Sequence, residues 1–242
     1  MQPLSPLRLY LDTADTALWQ TWLPTGLFYG ITCNPLLLER ADVSCDLSTL
    51  AGITKQALAL GAKEIHLQAW GDSVESLTAT GLALGKISPN VVVKLPATQI
   101  GTTAASTLIK QNNIPVTLTA IYAVHQVLIA AAIGASYAAP YLGRISDAGR
   151  DGRAELSAMQ QALDGVGSST RLLTASIRAV DDISALATQG VDTFTFSAAI
   201  AQSLFSVSDT LSATADFERA ANKMASNRMA ANRMAAKSMP SS

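Results

Sequence analysis

The sequence predicts a (β/α)₈ TIM barrel, and three observations predict it. About eight short apolar, β-branched runs alternate with longer helix-like segments. The run Val91-Val92-Val93 is apolar on both faces, as in a strand covered on both sides. Polar residues recur at the C-terminal ends of the runs, the end where barrel loops gather their chemistry. The length of 242 residues suits one such barrel, which commonly runs to about 250 residues.

In chain order, strands are expected at Arg8–Asp12, Phe28–Thr32, Glu64–Ala69, Val91–Leu95, Pro115–Thr119, Ser136–Tyr141, Arg171–Ala175 and Asp192–Phe196. Between them, Ala14–Leu23, Leu47–Leu60, Ser73–Leu84, Thr102–Lys110, Ala123–Ile133, Ala154–Leu163 and Val180–Thr188 carry helical apolar spacing. Gly61, Gly134 and Gly190 stand where helices end, as a left-handed cap requires. Strands that alternate with helices pair in parallel, because a parallel neighbour is reached only by a long crossover. A doubly wound open sheet has the same element order; the number of units and the placement of polar residues favour the barrel.

Composition narrows the partners. Only 14% of residues are charged and 5% aromatic, so Ala, Leu, Val and Ile must build the core. A formal net charge of −1 gives no reason to expect nucleic acid or membrane as a partner. Cys33 and Cys45 form neither a disulfide framework nor a metal site. The start, Met1–Arg8, has no signal-peptide pattern, and the most apolar stretch, Val127–Ala139, is too short to span a bilayer and contains Gly134. A soluble cytoplasmic protein is expected.

The chain is expected to divide into a catalytic barrel, residues 1–217, and a basic Ala/Met/Asn-rich tail, residues 218–242. From Arg219 onward no residue is acidic. A degenerate five-residue repeat places methionines at 224, 229, 234 and 239, and five residues turn a helix by about 500°, so they spiral rather than form a stripe. A helical or partly disordered tail is expected. A basic arm docking on a neighbouring subunit is the sharper reading, and the lack of interleaved aromatics argues against nucleic acid.

Asp12, Thr32, Asn34, Gln68, Thr119, Tyr141, Arg144, Ser176, Arg178 and Ser197 stand at or just beyond strand ends. Lys94 stands out: Val-Val-Val-Lys-Leu-Pro puts a lysine within an apolar strand. Burying an ammonium is costly, so a lysine there is expected to have a depressed pKa, as Schiff-base chemistry requires. The plainer reading is a strand-end lysine reaching solvent or pairing with Asp12. There is no glycine-rich phosphate loop and no clustered metal-ligand set, so neither metal nor organic cofactor is expected.

These residues lie in segments that together resemble the transaldolase family, and within it the short subfamily that includes fructose-6-phosphate aldolase. The segments are Leu-Asp-Thr-Ala at 11–14, Gly-Ile-Thr-Cys-Asn-Pro at 30–35, Val-Lys-Leu-Pro-Ala-Thr at 93–98, Ala-Pro-Tyr-Leu-Gly-Arg-Ile at 139–145 and Thr-Ala-Ser-Ile-Arg at 174–178. The resemblance implies a (β/α)₈ class I aldolase or transaldolase with Lys94 as the Schiff-base amine and Asp12 as the carboxylate that handles the hydroxyl proton. It implies Asn34, beside Thr32, as a ligand of the dihydroxyacetone part, and Thr119 with Gln68 as the pair positioning a water. Arg144, Ser176 and Arg178 become the phosphate group; an Arg fork suits a phosphate dianion. Sugar phosphates and dihydroxyacetone are the implied partners, in a homo-oligomer with a decamer as one arrangement.

Gln68, Ala139 and Tyr141 match the fructose-6-phosphate aldolase pattern, where transaldolases typically have Glu, Ser and Phe. A phenol near the enamine supplies a proton donor that Phe lacks. The expected reaction is therefore reversible cleavage of fructose 6-phosphate to dihydroxyacetone and glyceraldehyde 3-phosphate. The alternative is transaldolase transfer of the dihydroxyacetone unit in the pentose phosphate pathway, and the remote one is a non-catalytic barrel that binds sugar phosphates. Cys33 departs from the family's more usual Thr or Ala. His66 and His125 read as core or surface histidines, and His66, sharing a strand with Gln68, is the one expected to turn into the barrel.

Overall fold

The computed structural model describes residues 7–237; residues 1–6, part of the stretch read for a targeting signal, and Met239 of the repeat lie outside them. Eight strands close into a barrel in chain order: β1 (Arg8–Asp12), β2 (Gly30–Thr32), β3 (Glu64–Gln68), β4 (Val91–Pro96), β5 (Val116–Ile121), β6 (Tyr137–Pro140), β7 (Arg171–Thr174) and β8 (Thr193–Phe196). Every pairing is parallel, and β1 closes the ring on β8. Closure excludes the open-sheet alternative.

Helices follow the strands: α1 (Thr16–Trp22), α2 (Pro35–Arg40), α3 (Leu47–Ala59), α4 (Val74–Gly85), α5 (Gln99–Asn112), α6 (Val124–Ile133), α7 (Leu142–Asp147), α8 (Gly152–Gly165), α9 (Val180–Ala187) and α10 (Ala198–Leu204). The short helices α2, α7 and α10 are additional to the expected set. Six or seven residues make too few turns to show a 3.6-residue apolar period. α2 nonetheless carries a start signal: Asn34 accepts from the Leu37 amide at 3.1 Å, and Pro35 fills the first turn.

Strand alternation sorts side chains into two layers. Leu9, Leu11, Ile31, Ile65, Leu67, Val91, Val93, Leu95, Val116, Leu118, Ala138, Leu172, Phe194 and Phe196 are buried on the face turned to the helices. The opposite face fills the barrel, with Tyr10, Val92, Tyr137, Ala139 and Leu173 packed together. Hydrogen bonds between non-adjacent strands, such as Tyr10 to Tyr137 and His66 to Thr117, confirm that these residues point to the axis.

The described residues form two compact units, one ending at Ala201 and the other beginning at Gln202. In the second, α11 (Ser208–Lys237) is one continuous 30-residue helix, so the tail is helical through Lys237, as its high alanine content favours. Met224 and Met229 are both exposed, consistent with a spiral of methionines. No described helix is long and apolar enough to cross a membrane, and no described group of His, Cys, Asp and Glu is placed to hold a metal ion.

Candidate active site

Lys94 points into the barrel from β4, beside Gln68 of β3 and Thr117 of β5 in the ladders. It is 6% exposed, and its Nζ donates to the Cys33 carbonyl oxygen at 3.0 Å. Among the described residues no carboxylate lies within ion-pairing distance of that nitrogen. It lines a cavity of about 190 Å³ at the C-terminal mouth, together with Asp12, Asn34, Tyr141, Arg144, Ser176 and four further residues. The plainer sequence reading, a lysine in solvent or clamped to Asp12, does not describe this geometry.

Asp12 ends β1 at the cavity wall. The Thr32 hydroxyl donates to Asp12 Oδ1 at 2.6 Å and is itself 2.6 Å from the Thr195 hydroxyl. Enclosure in the barrel pushes the Asp12 carboxyl above its ordinary range, while the Lys94 charge and the Thr32 hydrogen bond pull the other way. Thr32 is thus placed behind Asp12 rather than in the cavity lining. Asn34 faces the cavity while its side-chain oxygen caps α2.

Across the mouth, Tyr141 precedes α7, and its hydroxyl lies 2.8 Å from the Thr119 hydroxyl. A bulge brings them together: the β5–β6 register slips between Thr119 and Ile121, with Ala120 at φ 59°. Gln68 ends β3 next to Lys94. Gln68 stands beside Lys94 and Thr119 beside Tyr141, but Gln68 and Thr119 lie outside the cavity lining.

The guanidinium of Arg144, on α7, stacks 4.9 Å from the Tyr141 ring and donates to the Tyr122 hydroxyl at 3.4 Å. Ser176, after β7, lines the cavity in a left-handed backbone conformation, φ 59°, that non-glycine residues rarely adopt. Its carbonyl accepts from the Gly143 amide at 2.9 Å. A Cβ on Gly143 would sit 2.5 Å from that carbonyl oxygen and 2.6 Å from Arg178 Nε, so this approach needs glycine. Arg178 is placed differently from its expected partners: it grips both oxygens of Asp147, the Nη1–Oδ1 bond being 2.8 Å, and lies outside the cavity lining.

The lining also includes Leu36, Leu37, Arg40 and Ala175, none of which the sequence marked. Three of them belong to α2. Its start was legible in Asn34-Pro35, but its inward-facing residues were not.

Below Lys94 the barrel is closed by a polar network. Glu64 accepts from Tyr137 at 2.7 Å, from Tyr10 at 2.8 Å and from Arg8 at 3.3 Å, and lies 3.3 Å from His66 Nε2. His66 is fully buried, and its Nδ1 is 3.0 Å from the Thr117 hydroxyl. Burial lowers the His66 pKa against the pull of Glu64, so the ring is neutral; Nε2–H donates to Glu64, and Nδ1 accepts from Thr117. Burial alone would raise the Glu64 carboxyl, but hydrogen bonds from His66, Tyr137 and Tyr10 outweigh it and bring it to about 2. Burial pushes the Cys33 thiol up to about 12, leaving it protonated and inert, as packing requires.

The fold recurs in distant proteins. Thiamine phosphate pyrophosphorylase from Pyrococcus furiosus superposes with a TM-score of 0.56 at 16% identity, covering 79% of this chain and 86% of that one. A monomeric dihydrodipicolinate synthase variant gives 0.56 at 13% identity, over 81% and 71%. Sequence relatives are much nearer. A probable transaldolase of Mesorhizobium japonicum is 32% identical over 189 residues, 78% of this chain and 84% of that protein. A second probable transaldolase, from Phenylobacterium zucineum, is 30% identical over 199 residues, 82% and 89%. The profile of one family, Transaldolase/Fructose-6-phosphate aldolase, matches residues 9–240. With a barrel that carries the family's lysine segment at its mouth, the chain belongs to the transaldolase/fructose-6-phosphate aldolase family.

Proposed function

We propose that this protein is a Schiff-base transaldolase that carries a dihydroxyacetone unit on Lys94 from one sugar phosphate to another. The observation that carries this is Lys94 itself: an amine held in a buried cavity without a carboxylate partner, facing Asp12 and Arg144. Its nitrogen attacks the ketose carbonyl carbon, and the carbinolamine loses water to give an iminium ion. Asp12 takes the proton of the adjacent hydroxyl as the carbon–carbon bond breaks. The bonding electrons flow into the iminium to give an enamine, and the aldehyde leaves. Attack of the enamine carbon on an acceptor aldehyde, whose oxygen takes the proton back from Asp12, reverses these steps.

A carboxyl raised above its ordinary range suits a group that must both accept and return a proton. Asn34 holds the dihydroxyacetone hydroxyl, with Thr32 fixing Asp12. Arg144 and Ser176 bind phosphate at the rim, Arg178 supporting them from its place beside Gly143. The related proteins named probable transaldolases favour transfer over the aldolase reaction to which Gln68, Ala139 and Tyr141 pointed.

Fructose-6-phosphate aldolase is the second reading, and one contact favours it. In this reading the Tyr141 hydroxyl, 2.8 Å from that of Thr119, donates the proton to the enamine, and Gln68 orients a water. Protonating the enamine carbon and hydrolysing the iminium releases free dihydroxyacetone. Fructose 6-phosphate supplied with and without erythrose 4-phosphate separates the two. Release of glyceraldehyde 3-phosphate that depends on the acceptor supports transaldolase, and equal release without it supports aldolase. Borohydride reduction with dihydroxyacetone must add the reduced adduct to Lys94; an unmodified lysine refutes both and leaves a sugar-phosphate-binding barrel.

A further inference from the structure

Every arginine of the barrel unit except one has a partner. Arg8 meets Glu64, Arg150 meets Glu155, Arg153 meets Asp182, Arg171 meets Asp192, Arg178 meets Asp147, and Arg144 rests on Tyr141 and Tyr122. Arg40 has neither a hydrogen bond, an ion pair nor a ring contact among the described residues. It is also an arginine that lines the Lys94 cavity. With Arg144 it gives that cavity two guanidinium groups, beside the Lys94 amine, against one carboxylate, Asp12. Such a pair of guanidinium groups at one rim suits an anion.

A plain structural role accounts poorly for it. Arg40 ends α2, where any cation gains a little from the helix dipole. The Leu37, Leu38 and Glu39 carbonyls of that last turn are already taken, however: the Ala41 amide bonds to all three, and the Val43 amide to Leu38. The guanidinium caps nothing. It stands instead between the Lys94 cavity and an adjoining hollow that shares Asp12 and Leu37 with it and reaches Ser197 beyond β8. Arg178, the second guanidinium expected at the phosphate, is meanwhile occupied by Asp147.

Resting on the proposed reaction, we infer that Arg40 is a specificity-determining residue that holds the anionic end of the acceptor aldehyde, acting with Arg144. Asp12 works at the hydroxyl that the departing or arriving aldehyde carries, so the group bordering Asp12 on the outer side is the aldehyde's own tail. Arg40 borders it in both hollows. The chemical class selected is an aldose phosphate, or an aldehyde with a comparable terminal anion, over its neutral counterpart.

The test compares erythrose 4-phosphate with erythrose as acceptors, fructose 6-phosphate being the donor, in the wild type, Arg40→Ala and Arg40→Lys. The expected result is that Arg40→Ala lowers the ratio of the two kcat/KM values about tenfold, through the KM of the phosphorylated acceptor, as the loss of one charge-assisted contact predicts. Arg40→Lys should restore part of the ratio, since a lysine supplies charge without the fork. An unchanged ratio, or equal losses with both acceptors, overturns the inference. Borohydride trapping of dihydroxyacetone on the wild type keeps the failures apart. If trapping fails, the Schiff-base reading has failed; if it succeeds and the ratio does not move, only the role of Arg40 is lost.

Discussion

Replacing Glu64 with Gln removes one charge from the barrel floor while keeping the side chain's shape and most of its hydrogen-bonding capacity. The carboxyl's pKa falls from 4.5 to about 2 on folding. At 1.36 kcal/mol per unit, the ionised form contributes about 3 kcal/mol at neutral pH. The sign follows from the depressed value: the stabilisation is complete above the unfolded pKa and disappears as pH falls through the folded one. Arg8, engaged with that carboxylate from a side chain 27% exposed, loses its ion pair and keeps its contacts with the Tyr137 hydroxyl and the Tyr29 ring face after the change. Urea denaturation at pH 7 should therefore show Glu64→Gln less stable by about 3 kcal/mol, and at pH 3.5 the gap should narrow to about 2 kcal/mol. A deficit under about 1 kcal/mol, or one that is the same at both pH values, would refute the claim that an ionised Glu64 organises the floor.

Gly143→Ala drives a methyl group against the Ser176 carbonyl and Arg178 Nε, so it should cost about 1–3 kcal/mol and raise KM for phosphorylated substrates, measured by denaturation and initial rates. Ser176→Gly relieves a left-handed backbone worth about 1 kcal/mol but frees the unfolded chain by a similar amount; its melting temperature should stay within a few degrees while KM for fructose 6-phosphate rises. Tyr141→Phe removes the hydroxyl 2.8 Å from Thr119, and acceptor-independent cleavage of fructose 6-phosphate should fall at least about tenfold more than acceptor-dependent transfer. Thr174 Oγ1 is buried without a hydrogen-bond partner among the described residues, so Thr174→Val should leave stability unchanged or raise it by about 1 kcal/mol in the same denaturation assay.

The barrel was legible because its signal is repeated. Each unit couples a short apolar run to a helical period, and a strand such as Val91–Pro96 can be covered on both faces only within an α/β architecture. Lys94, Asp12, Asn34, Tyr141, Arg144 and Ser176 were also legible, because a polar residue ending an apolar run is conspicuous, and all six line one cavity. Arg40 was not. It lies eight residues beyond its strand, at the end of a helix of only six residues, and nothing local separates it from an ordinary solvated arginine. The Arg178–Asp147 clamp escaped for a related reason: residues 31 apart meet only because β6 and β7 are neighbours. The floor network was visible only as an ambiguous His66, since its other members, Arg8, Tyr10, Glu64 and Tyr137, come from three strands.

That floor explains how a barrel with so polar an interior can hold a reactive amine. Charge at the axis is a hazard for Lys94, because a free carboxylate deeper in the barrel would attract the nitrogen. Glu64 is that carboxylate, and its lone pairs are engaged by two phenols, a guanidinium and an imidazole N–H. His66 is neutral and meets Lys94's layer through a hydrogen bond with the Thr117 hydroxyl. The network therefore consumes its own charge, and Lys94 is left with a single backbone carbonyl, a contact that a forming Schiff base can give up at small cost. Glu64→Gln should accordingly weaken the fold yet leave the dihydroxyacetone concentration for half-maximal borohydride trapping within about twofold. A large shift would mean that the floor's charge reaches the amine after all, and that stability and reactivity share one electrostatic system along the axis.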